Sequence, residues 1–119
     1  MRKILLASVL LVAASTGVSA QEAPQLTPDQ KVLVRCSAAF SLAANLQEHG
    51  DKSLGEIPEL RARGMEYFVR AMASLMDSNS LSRAQVSALL KEEIKSLTKD
   101  DALARAMPGC LASLEASGL

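Results

Sequence analysis

The first twenty residues constrain this chain most, because they predict both a compartment and the length that remains to fold. Arg2 and Lys3 form a positive start, Ile4 to Ala14 is an apolar run broken only by Ser8, and Val18-Ser19-Ala20 supplies a small-x-small cleavage pattern. The apolar run is too short to span a bilayer, so residues 1–20 read as a secretory signal peptide cleaved before Gln21. The part left to fold is then 21–119, about 99 residues, enough for one domain. At that size about two-thirds of the unfolded surface can be buried, which allows a true core but leaves little room for a deep enzyme cleft. The mature chain has no second apolar run of spanning length, and no cysteine stands at the cleavage site to carry a lipid. The expectation is an exported protein without a membrane span, periplasmic in a Gram-negative host and otherwise secreted.

Export gives the two cysteines a meaning. Cys36 and Cys110 are the only thiols, and an isolated pair in an oxidising compartment predicts one structural disulfide. Closing a loop of that length stabilises by roughly 4 kcal/mol in the chain-entropy model. Thiol redox catalysis is the sharper alternative, but it uses close-spaced cysteines at a helix N-terminus. No C-x-x-C occurs, and Cys36 falls mid-helix on an apolar face.

Periodicity and punctuation predict an all-α bundle of four to five short helices in a domain spanning 27–119, preceded by a flexible tether at 21–26. Thr27-Pro28-Asp29-Gln30 combines an N-cap, a proline at the first helical position and a capping box. Val32, Cys36, Ala39, Phe40, Ala43 and Leu46 then repeat at three- and four-residue steps, and His49-Gly50 ends the helix. After a loop at 51–57, Pro58 is expected to open a second helix. Its inner face would be Leu60, Gly64, Tyr67, Phe68, Ala71, Met72, Leu75 and Met76, with a turn at Asp77–Ser80. Gly64 costs about 1 kcal/mol against alanine in a helix interior, which suggests a close approach by a neighbour. Ser82 with Gln85 forms a second capping box, and Leu81 with Val86 a hydrophobic staple, opening a helix that buries Val86, Leu89, Leu90, Ile94 and Leu97. A break is expected at Thr98–Asp101. Pro108-Gly109 is expected to interrupt the C-terminal region, leaving a short last helix with Cys110, Leu111 and Leu114. Alternating apolar runs that would mark strands are missing.

Charge and composition exclude several functions. Of the 13 Lys+Arg, Arg2 and Lys3 fall in the signal, leaving 11 against 13 Asp+Glu and no basic stripe for nucleic acid. Phe40, Tyr67 and Phe68 are the whole aromatic set, too few for a stacking platform. His49, the one histidine, reads as a solvated group favoured near a helix C-terminus rather than a pH sensor. An EF-hand beginning at Asp77 would need an oxygen ligand at Leu81, glycine at Ser82 and glutamate at Ala88. Glu92-Glu93 and Asp100-Asp101 are adjacent pairs, which diverge on a helix instead of converging. With no serine elbow and no phosphate-cradling loop, the sequence predicts no enzyme, no catalytic residue, no cofactor and no metal. Glu59–Arg63 and Glu66–Arg70 read as helix-supporting i,i+4 pairs.

What remains is methionine. Met65, Met72 and Met76 recur at seven- and four-residue steps beside Phe68. Ordinary core filling accounts for such a stripe, and Met107 can join it across the fold; Cu(I) coordination is a remote option. As a binding surface, Met65, Phe68, Met72 and Met76 would offer flexible, polarisable contacts to varied apolar partners. In class and size the chain resembles the small periplasmic acid-stress chaperones, although its cysteines lie farther apart and no specific motif matches. Two functions are expected as alternatives. One is a non-enzymatic interaction or chaperone-like module acting on other exported proteins; the other is an exported small-molecule or metal binder with a pocket lined by Phe40, Met65, Phe68 and Met72.

Overall fold

Two capping boxes set where the chain enters its helices. In the computed structural model, which describes residues 24–119, Thr27 Oγ1 accepts the Gln30 amide while Gln30 Oε1 accepts the Thr27 amide. Ser82 and Gln85 repeat the arrangement. Each such cap satisfies amides that would otherwise lack partners, and is worth about 1 kcal/mol. The helices are α1 (Pro28–Glu48), α2 (Arg61–Asn79), α3 (Arg83–Leu97) and α4 (Ala102–Ala116). The described residues contain no strand. The expected signal peptide and the start of the tether lie outside the described residues.

Helix α1 is the centre of the bundle. Cys36, Ser37, Ala38, Ala39 and Phe40 are all buried in succession, and five residues exceed one turn of about 3.6, so neighbours surround the helix. It touches each of the other three. Alanines at 38, 39 and 43 keep its surface low and let those neighbours come close. The Cys36–Cys110 disulfide is present, with the Cα atoms 5.1 Å apart, and ties α1 to α4.

Helices α1 and α2 run antiparallel and are pinned at both ends. At one end the Gln30 and Asn79 side chains exchange two hydrogen bonds of 2.9 and 3.0 Å. At the other, the Gln47 side chain donates to the Pro58 carbonyl and accepts from the Leu60 amide.

These pins explain two departures from the expected boundaries. Pro58 does not open α2: Gln47 holds 58–60 outside the helix, and Leu60, fully buried, stands at the N-cap. The Asp77–Ser80 turn shrinks, because α2 continues to Asn79 and only Ser80 turns into the left-handed region at φ 52°. A third departure concerns Pro108, which lies inside a continuous α4 and does not interrupt it. Proline removes the donor for the Ala104 carbonyl, but both residues are exposed, so water can replace it. Met107, Cys110 and Leu114 anchor the helix on both sides of that point. The break between α3 and α4 falls where the sequence placed it, with Asp100 at φ 48°.

The staple residues Leu81 and Val86 are both buried. Helix α3 is otherwise lightly seated: Leu97 is buried, while Leu89, Leu90 and Ile94 are half-buried. Gly50, after the last turn of α1, takes φ +68° as expected of a helix-ending glycine. Among the described residues no helix is long and apolar enough to cross a membrane.

Candidate functional site

Helix α1 comes close to α2 at Gly64. A Cβ placed there would lie 3.1 Å from Phe40 Cβ and 3.6 Å from Leu60 Cβ, so the missing side chain is what lets Phe40 seat. Phe40 then meets Tyr67 edge to face, with ring centroids 5.1 Å apart and planes at 88°. The Tyr67 hydroxyl is satisfied by Ser113 Oγ of α4 at 2.8 Å. This packing closes the inner side of the α1–α2 seam.

The outer side stays open. Phe40, Ala44, Leu60, Gly64, Met65 and Phe68 line a groove of about 390 Å³. Its rim carries Ser41, Asn45, Glu48 and Arg61, and the last two face each other at 3.5 Å (Arg61 Nε to Glu48 Oε1). The lining is therefore apolar with a thin polar edge.

The pattern of α2 accounts for the open side. At about 100° per residue, the positions from Tyr67 round to Ala73 span roughly 240° and carry no charge beyond Arg61 in the first turn, whereas a surface helix needs a little over 100° to face a core. The other charged residues, Arg63, Glu66, Arg70 and Asp77, are confined to the remaining arc. The bundle covers only part of the apolar arc. Met65 is left 62% exposed and Val69 55% exposed. Ala62 and Ala73 are exposed beside them.

The expected surface residues thus separate. Met65 projects into solvent, Phe68 and Met76 are half-buried, and Met72 is a core residue at 7% exposure. Met107 is likewise part of the core. Of the four residues expected to line a pocket, Phe40, Met65 and Phe68 line the groove and Met72 does not. Val69 escaped the sequence reading. The signal for it was the width of the arc that is free of charge beyond the first turn, which exceeds what one core contact can cover.

The titratable groups are dispersed. Among the described residues, no three His, Cys, Asp or Glu side chains gather where they could hold a metal ion. His49 is exposed, with Nδ1 2.8 Å from the Asn45 carbonyl near the end of α1. Glu92 pairs with Lys95 at 3.4 Å and Glu93 with Arg35 at 3.5 Å, on different sides of α3. Glu66–Arg70 forms as expected at 3.2 Å. Glu59 instead accepts the Arg61 amide, and Arg63 turns to Glu115 at 2.7 Å and to the Leu119 backbone oxygen. Hydrogen bonds from the Ser53 hydroxyl and amide hold the Asp51 carboxyl below its ordinary pKa of 3.8. That carboxyl is fully exposed and lies in the loop between α1 and α2. No protein-family model matches the chain, and no curated protein and no solved structure proved similar to it.

Proposed function

We propose that this chain is an exported, non-enzymatic interaction module that holds an apolar segment of another exported protein in the α1–α2 groove, in the manner of a holdase. The observation that carries the reading is the apolar groove with Met65 standing exposed at its wall. Isolated exposed apolar residues are ordinary on any surface, but this one continues a lined groove and stands beside exposed Val69 on the same helix. Methionine suits a site that accepts varied sequences, because its unbranched side chain adapts to the shape presented. Export rests on the signal pattern of residues 1–20. The buried disulfide supports it, since such bonds persist in oxidising compartments.

The test uses the oxidised mature protein in molar excess over a model protein that unfolds and clouds on heating, at neutral and acidic pH. Suppressed light scattering, weakened by Met65→Glu, is the expected result. Full aggregation at both pH values would overturn the reading.

One observation favours a second reading. The groove volume of about 390 Å³ falls within the roughly 300–1,000 Å³ of small-molecule sites. An apolar ligand held there would raise the unfolding free energy by about 2.7 kcal/mol at a hundredfold excess over its Kd. A thermal-shift screen of small apolar compounds separates this from the holdase, which gains nothing from such ligands.

A further inference from the structure

We infer that α3 is a flap that lifts as a unit from a frame made by α1, α2 and α4, uncovering apolar surface that the closed protein hides. The inference does not rest on the groove reading, because no residue of α3 lines the α1–α2 groove.

The ties between helices set α3 apart. The Cys36–Cys110 disulfide joins α1 to α4. Gln30 with Asn79, and Gln47 with the Leu60 amide, join α1 to the two ends of α2. Tyr67 with Ser113, and Arg63 with Glu115, join α2 to α4. These bonds close a ring through three helices. Among the described residues, the one polar tie from α3 to that ring is the Arg35–Glu93 ion pair at 3.5 Å. The Arg35 side chain is 47% exposed, and an ion pair in that setting holds weakly.

Packing repeats the contrast. Helix α3 has two buried residues, Val86 and Leu97, the fewest of the four helices. A cleft lies at each end of its seam with α1. One, of about 410 Å³, is lined by Val32 and Val34 of α1 and Leu89 of α3. The other, of about 320 Å³, lies between Leu46 of α1 and Leu97 of α3. A segment with few buried apolar contacts is the one that opens below the global unfolding free energy.

The connections lie where a hinged helix needs them. Ser80 at φ 52° and Asp100 at φ 48° are the only non-glycine residues with positive φ among the described residues, and they bracket α3. Ser80 directly follows Asn79, which Gln30 holds, and Asp100 stands just before α4. A left-handed backbone is disfavoured for any residue with a Cβ, so lifting α3 relieves both connections while the frame keeps its bonds. The lifted helix bares Val86, Leu97 and the covered sides of Leu89, Leu90 and Ile94.

Native-state hydrogen exchange of the oxidised protein, followed amide by amide through a series of low urea concentrations, tests this. The α3 amides should exchange roughly tenfold or more faster than the slowest amides of α1 and α4, and should merge onto one urea dependence because they are released together. Phe40→Leu weakens the frame where Phe40 packs on Tyr67. It should speed the slowest α1 and α4 amides roughly tenfold and leave the α3 rates unchanged, because that contact survives when the flap lifts. Amides of α3 as slow as those of α1 and α4 would overturn the inference, since α3 would then open only with the whole protein. So would α3 rates that rise with the frame's in Phe40→Leu, or graded fraying from the ends of α3 with no common urea dependence. No client is present in these measurements, so failure here and failure of the holdase reading are distinguishable.

Discussion

Replacing Gly64 by alanine sets two opposed effects of known size against each other. Alanine is better than glycine in a helix interior by about 1 kcal/mol. At Gly64, however, the new Cβ would sit 3.1 Å from Phe40 Cβ, inside the roughly 3.5–4.0 Å at which carbon atoms attract. Phe40 Cβ cannot swing away, being one bond from the backbone of the buried central helix, with its ring held against Tyr67. Relief requires α1 and α2 to part by a few tenths of an ångström, and overpacking of this kind costs about 1–3 kcal/mol. The net effect of Gly64→Ala is a destabilisation of about 1 kcal/mol. Gly109 supplies the control, because it is also helical and a Cβ there meets nothing within 4 Å. Gly109→Ala should therefore stabilise by up to about 1 kcal/mol. Urea unfolding of both variants, read as midpoint shifts at constant slope, measures the difference. If Gly64→Ala stabilises the protein as much as Gly109→Ala does, the close approach at Phe40 is not the reason for the glycine.

Three further outcomes are expected. Replacing Cys36 and Cys110 together by alanine should cost about 4 kcal/mol through the loop they close, lowering the melting temperature by roughly 15–30 °C; a loss of only a few degrees would deny the crosslink its role. Ser37 is fully buried and its hydroxyl lacks a hydrogen-bond partner, so Ser37→Ala should stabilise by about 1 kcal/mol, and a lowered urea midpoint would contradict this. Because Asp51 has its folded pKa depressed, the stability it contributes is present above its unfolded pKa and disappears as pH falls through the lower folded value. Ser53→Ala should move the Asp51 carboxyl resonance titration upward in NMR, and an unchanged titration would refute the hydrogen-bond assignment.

Local chemistry made much of this fold readable in advance. Thr27 with Gln30 and Ser82 with Gln85 mark α1 and α3 because a capping box acts within four residues. The disulfide was readable because only two thiols exist. The misplaced boundaries all involve distant partners. Gln47 fixes Pro58 and Leu60, Gln30 extends α2 to Asn79, and Cys110 with Leu114 carries α4 through Pro108. The methionine helix shows the same limit. Its period placed Met65 and Met72 on one apolar arc, but the bundle covers Met72 and leaves Met65 exposed. Periodicity reports the width of an apolar arc and leaves open which part the bundle covers.

The measurement that bears most directly on the groove as an interaction site is a methionine-methyl NMR spectrum of the oxidised protein, titrated with an unfolded client. Met65 stands at the groove wall and Met107 is buried in the core. The expected result is a progressive shift and broadening of the Met65 methyl, with the Met107 methyl unmoved. Shifts spread evenly over all methionines, or none at Met65 while the client is held, would place the interaction elsewhere.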